Sequence, residues 1–96
     1  MLTSKQRAYL RGLANTLQPV LIIGKDGISE ALLQEVDQAL ECHELIKIKL
    51  LESSFLSPKG AAAEISEQLG ADPVQCIGSK IVLYRESKEN KQIELI

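Results

Sequence analysis

Two glycines bracket a lysine and an aspartate at residues 24–27, and this Gly24-Lys25-Asp26-Gly27 loop is the clearest chemical feature of the chain. Ahead of it, Val20 to Ile23 is an uninterrupted apolar run that reads as a buried strand. Behind it, an amphipathic helical pattern resumes at Ile28. The loop must therefore turn the chain from strand to helix. Glycine at each end tolerates backbone angles that other residues resist and lets a ligand approach the main chain, while the following helix aims its unpaired N–H groups outward. Such a corner suits a phosphate. It equally fits a plain turn with Lys25 and Asp26 solvated, so the reading depends on what surrounds it.

Two further pairs of cations could meet the same ligand. Arg7 and Arg11 stand four apart beside the apolar stripe of a first helix, and either face that ligand or form a solvated edge. Lys47 and Lys49 stand two apart, on one side of a strand. The net charge of −2 argues against broad nucleic-acid affinity, but the charge is uneven. Residues 1–27 carry Lys5, Arg7, Arg11 and Lys25 against Asp26 alone, a balance of +3, whereas residues 28–42 carry Glu30, Glu35, Asp37 and Glu41, a balance of −4.

The elements that would position these groups follow from periodicity. Thr3 caps the first helix with Gln6 as its capping-box partner, and Leu10, Leu13, Ala14 and Leu17 give it one apolar stripe. Pro19 ends it and feeds the strand from Val20 to Ile23. After the loop, Ile28, Leu32, Val36, Ala39 and Leu40 form the buried face of a second helix, whose Glu30, Asp37 and Glu41 are expected in solvent. Leu45 to Leu50 alternates, with Ile46, Ile48 and Leu50 on one side and the two lysines on the other. Strand, helix and strand within about thirty residues make a β-α-β unit with parallel strands, which puts the G-x-x-G at the carboxyl end of the first, where ligands of open α/β sheets bind. Ser57-Pro58 starts a third helix with Ala61, Ala62, Ile65 and Leu69 inward, and Gly70 stops it. Val74 to Ile77 and Lys80 to Tyr84 flank Gly78-Ser79 as a hairpin, and the apolar succession Ile81 to Tyr84 predicts a central strand covered on both faces. A charged tail, Arg85 to Gln92, leads to Ile93, Leu95 and Ile96, an extended segment laid against the body.

At 96 residues, 45% apolar and 25% charged, the sequence predicts a single compact α/β domain, residues 1–96, with a mixed four-stranded sheet and helices packed on it. Its core should be aliphatic, with Tyr84 inside it. No apolar run approaches the ~18 residues of a membrane span and the N-terminus reads as a polar helix rather than a signal peptide, so a cytoplasmic location is the default. Cys42 and Cys76 lack metal-ligand spacing and are expected as buried or half-buried thiols. No metal or cofactor is expected. His43 reads as structural or exposed at a helix end. The Walker spacing is absent and no nucleophile is arranged with the lone histidine, which makes an enzyme the weakest reading.

The element order α-β-(G-x-x-G)-α-β-α-β-β, with L-R-G-L-A at 10–14, I-G-K-D-G-I-S at 23–29, E-L-I-K-I-K at 44–49 and I-G-S-K-I-V-L-Y-R at 77–85, resembles the YhbY-like family. These are stand-alone bacterial versions of the CRM domain, the chloroplast RNA splicing and ribosome maturation module. The resemblance spans nearly the whole chain. It implies an RNA-binding fold related to the C-terminal domain of translation initiation factor three, and association with ribosomal RNA in precursors of the large ribosomal subunit. Carried over by position, the RNA loop falls on Gly24, Lys25, Asp26 and Gly27 and the basic surface on Arg11, Lys47 and Lys49; Arg7 is added by the helical spacing. Two departures stand out: Asn15 occupies a position where many relatives have histidine, and Asp26 sets a negative charge inside the loop, partly offsetting Lys25.

The expectation is therefore a non-enzymatic factor for ribosome assembly that grips RNA backbone as KH-type G-x-x-G loops do, and that recognises shape and phosphate rather than bases, since aromatics are few. No small-molecule substrate is expected. The alternative is a protein-interaction module whose basic face meets an acidic partner.

Overall fold

A computed structural model describes residues 2–95. Helix α1 (Ser4–Ala14) opens on the expected capping box, in which the Thr3 hydroxyl accepts from the Gln6 amide and the Gln6 side chain accepts from the Thr3 amide. Strand β1 (Leu21–Ile23) runs into the G-x-x-G loop and helix α2 (Glu30–His43), capped by Ser29. Strand β2 (Leu45–Leu50), a 3-10 turn at Glu52–Ser54 and helix α3 (Pro58–Leu69) follow. Ser57 caps α3, Pro58 stands in its first turn, and Gly70 closes it in the left-handed region at φ 66°, where glycine lacks the Cβ that would clash. Strands β3 (Asp72–Ile77) and β4 (Lys80–Tyr84) make the hairpin, with Gly78 at φ 58° as the first turn residue.

The sheet has the order β1-β2-β4-β3, parallel between β1 and β2 and antiparallel elsewhere. This is the anticipated mixed α/β fold, and β4 is central with Ile81 to Tyr84 all buried. Alternation along the strands divides the core in two. On one face Ile23, Ile46, Ile48, Leu50, Ile81 and Leu83 meet α2 and α3. On the other, Leu45, Val82 and Tyr84, joined by Val74, meet Leu10 and Ala14 of α1. A short helix cannot cover a whole sheet face. α1 takes the half near the start of β2 and leaves open the half near the G-x-x-G loop, where Ile22, Lys49, Ile77 and Lys80 are all exposed.

Several expectations are corrected. The run from Val20 to Ile23 is not a buried strand throughout: β1 is an edge strand, only Ile23 is buried, and Ile22 is 59% exposed because nothing covers its side of the sheet. α1 ends at Ala14, before Pro19 could stop it, so Leu17 reaches its apolar cluster from the linking segment; Leu13, in the last turn, is 38% exposed. Cys42 and Cys76 are exposed, one on the outward side of the last turn of α2, the other on the outer strand β3. The acids of α2 are not simply solvated. Asp37 holds Arg85 at 2.6 Å, and Glu41 accepts from the Ser87 hydroxyl at 2.7 Å and from the Glu89 amide at 3.1 Å.

Those contacts explain the tail. Residues 86–95 join no strand, yet Ile93 and Leu95 pack on the α1 cluster as anticipated; Ile96 lies outside the described residues. Their backbone amides are gathered by Glu44, the fully buried cap of α2. Glu44 Oε2 accepts from the Ser87 amide at 2.8 Å, and Oε1 accepts from Gln92 at 2.5 Å and Ile93 at 2.7 Å. Burial pushes the Glu44 carboxyl up, but these three donors outweigh it and hold it below the usual carboxylate range. Glu41 is lowered likewise, first by the Ser87 hydroxyl and then by the Glu89 amide.

Candidate nucleic-acid interface

The G-x-x-G segment closes as a tight turn in which the Gly27 amide donates to the Gly24 carbonyl at 3.0 Å. Its two glycines are not equivalent. Gly27 sits at φ 64°, a conformation side chains resist, whereas Gly24 is outside that region and an added Cβ would only touch Leu51 Cδ1 at 3.7 Å. The expectation that both glycines relieve backbone strain holds for Gly27 alone. At Gly24 what glycine provides is a bare main chain open to approach.

Lys25 and Asp26 are both exposed at the turn. The shallow cleft beside them is lined by Ile22, the loop, Ser29 and Leu32, with Glu35 on its far wall. At the helix entry the Ser29 hydroxyl already accepts from the Leu32 amide at 3.1 Å, and Glu30 stands in the first turn. The corner thus presents free backbone but one cation against three carboxylates, a poor anion site by charge alone.

The cations lie on the sheet beside it. Lys47 and Lys49 share one face of β2, as their spacing predicted, and that face is the one on which α1 packs. Lys49 is exposed, and half-buried Lys47 lines a groove with Leu13, Leu17 and Val20. Ile22, two residues before the loop, pairs across β1 and β2 with Lys49, so the loop and this lysine adjoin. Arg11 is exposed and Arg7 half-buried on α1, the helix that packs on the same side of the sheet over its other half. The structure thus brings Lys49 beside the loop, whereas Lys47 stands two residues farther back along β2, level with Val20, and the arginines are on the helix that covers the other half of the sheet.

Two residues escaped the sequence reading. Lys80, treated only as the start of a strand, stands directly opposite Lys49. Phe55, which no motif or periodicity marks, is 95% exposed with φ 57°. It is displayed because its neighbours are pinned: the buried Ser54 hydroxyl donates to the Leu51 carbonyl at 2.8 Å and accepts from the Leu56 amide at 3.2 Å. A serine at each end of a short apolar pair was the available signal for such a turn. The cation of Arg85, by contrast, is engaged by Asp37 and by the Leu69 carbonyl at 3.0 Å, tying β4 to both helices. Among the described residues no cluster of metal-ligating side chains occurs, and no helix is long and apolar enough to cross a membrane.

Comparison with known proteins supplies the rest. Residues 2–85 match the CRS1 / YhbY (CRM) domain. The chain is 42% identical over 95 residues to the "Probable RNA-binding protein YqeI" of Bacillus subtilis, covering 99% of each. It is 40% identical over 90 residues to an "RNA-binding protein" of Haemophilus influenzae, covering 94% of this chain and 91% of the other. The solution structure of a hypothetical protein from Staphylococcus aureus superposes over the full length of both chains with a TM-score of 0.84 at 50% identity. With this extent of match, and with the strand order and loop already described, the chain belongs to the CRS1 / YhbY (CRM) domain family.

Proposed function

We propose that this protein binds ribosomal RNA in precursors of the large ribosomal subunit and assists their assembly in the cytoplasm, by holding RNA and without a chemical step. The observation that carries the reading is the adjacency of a bare G-x-x-G turn to the exposed lysine of β2. An RNA strand crossing this corner finds backbone it can approach at Gly24 and a cation at Lys49 within the same site. Relatives named as RNA-binding proteins support the class of ligand. Gradient fractionation of cell lysate at low salt tests the destination: the protein is expected with large-subunit precursors rather than translating ribosomes, and recovery solely in the free fraction would sink that part of the reading.

Asp26 offers a direct probe of the loop. If a phosphate approaches Lys25, Asp26→Asn removes a like charge while keeping a residue that suits the turn. Affinity for ribosomal RNA should rise modestly, by roughly two- to fivefold at low salt, with the gain shrinking as salt screens it. An unchanged affinity places phosphate elsewhere.

A second reading is favoured by the exposed apolar side chains Phe55, Ile22 and Ile77. In it the basic face meets an acidic protein. Salt titration with ribosomal RNA as the ligand separates the two: releasing counterions from several phosphates gives a steep slope, whereas a protein built for an acidic partner shows no tight, steeply salt-dependent affinity for the transcript.

A further inference from the structure

Lys49 and Lys80 are paired residues of neighbouring antiparallel strands, and the row they occupy runs Ile22, Lys49, Lys80, Ile77 across all four strands. Directly opposed side chains on one sheet face have their Cβ atoms about 5 Å apart, a separation at which like charges destabilise the pair. No ion pair relieves it: among the described residues the ion pairs are Arg85 with Asp37 and Lys91 with Glu86, which leaves both lysines unmatched. The acid on this face of the strands, Asp72, pairs with Tyr84, four residues from Lys80 along β4, or about 13 Å. The row is open to solvent, with Ile77 62% exposed at its far edge, and it lies at the loop end of the sheet, where the Leu50 amide donates to the Ser79 carbonyl at 2.7 Å.

We propose that Lys80 joins Lys49 in a two-lysine clamp for an RNA backbone phosphate, so that the open half of the sheet, with Ile22 and Ile77 as apolar margins against the riboses, continues the binding surface begun at the G-x-x-G loop. This rests on the RNA-binding reading and adds to it a residue, a path and a physical reason: the bound phosphate cancels a repulsion built into the free protein. It also relocates the charge, since the loop cleft is rich in carboxylates and the sheet row has none. No aromatic side chain is exposed on these strands, so the face suits sugar and phosphate rather than stacked bases.

The clamp predicts opposite signs for stability and binding. Lys80→Gln, assayed with a transcript of large-subunit ribosomal RNA, should weaken binding about fivefold near 0.1 M salt and lower the salt slope by roughly one unit. The same substitution should raise the Tm of the free protein by about 1–3 °C at low salt, an advantage that fades at high salt. Lys80→Arg should retain binding. Lys59→Gln on α3, exposed beyond the other face of the sheet, changes net charge equally and should alter neither property much. If Lys80→Gln binds as tightly as wild type while Lys49→Ala weakens binding, the clamp is overturned and the RNA-binding reading survives. Weaker binding with a lowered Tm also overturns it, since Lys80 then acts by supporting strand pairing. A wild-type protein with no salt-dependent affinity for the transcript overturns both.

Discussion

Removing the loop lysine and both lysines of β2, as Lys25→Ala, Lys47→Gln and Lys49→Ala together, is expected to cut affinity for ribosomal RNA by about a hundredfold near 0.1 M salt. The expectation follows from counterion release: each cation that neutralises a phosphate contributes close to one unit of salt slope, so three losses should flatten the slope by roughly three units. Glutamine is used at 47 because the half-buried Lys47 stem helps line the groove under α1, and an alanine there would mix lost packing with lost charge. Circular dichroism should show an unchanged fold. The matched control is an acid far from the loop. Asp37 is unsuitable, since its carboxylate holds Arg85 at 2.6 Å and its removal would disturb the join between α2 and β4. Glu67 on α3 is exposed and serves instead. Were net charge alone responsible, Glu67→Ala would strengthen binding by as much as Lys25→Ala weakens it. A local site predicts a loss from the lysine and almost nothing from the glutamate, and symmetrical shifts would defeat the assignment of this corner as the interface.

The contrast between Lys49 and Lys80 shows where sequence reading stops. That Lys47 and Lys49 share a strand face is written in a two-residue period, as are the cap at Thr3, the stop at Gly70 and the double burial of β4, because each depends on neighbours within about five positions. The pairing of Lys49 with Lys80 depends on strand register across 31 residues, which no local period encodes. Strand order, equally non-local, puts β1 at an edge, and with the uncovered sheet face this turns Ile22 from an expected core residue into an exposed one. Phe55 was lost for a different reason: its exposure is set by Ser54 and Leu56 on either side rather than by its own hydrophobicity. At the loop itself the turn was legible but the division of labour between the glycines was not, since the G-x-x-G pattern is symmetrical and only the folded turn shows that Gly27 alone takes a positive φ. Of the α2 acids expected in solvent Glu30 is exposed, but the bonds of Asp37 to Arg85 and of Glu41 to Ser87 were not legible because those partners lie more than forty residues away in the tail.

Glu44 is the sharpest case of that long-range dependence, and Glu44→Ala should destabilise the fold by about 3 kcal/mol or more, a Tm loss beyond roughly 10 °C. Three buried or half-buried amides, those of Ser87, Gln92 and Ile93, would lose their acceptor at once. The amide hydrogens of Ser87, Gln92 and Ile93 should exchange much faster, because one carboxylate accepts from all three, while the Glu89 amide keeps its bond to Glu41. Glu44→Gln separates charge from shape. With its carbonyl in the place of Oε1 it keeps Gln92 and Ile93 and turns an NH2 toward the Ser87 amide, so an intermediate loss is expected. The pH dependence has a definite sign. A carboxylate held below its unfolded value near 4.3 contributes stability that is fully present above that value and is lost as pH falls through the lower folded value. Wild type should therefore lose stability through the acid range below about pH 4.3, and Glu44→Ala should follow a flatter course there, with Glu41 supplying what slope remains. Denaturant titrations of both proteins across that range test it. Parallel pH profiles, or a loss from Glu44→Ala under about 1 kcal/mol, would mean that the tail is held by Ile93 and Leu95 on the α1 cluster rather than by the buried carboxylate.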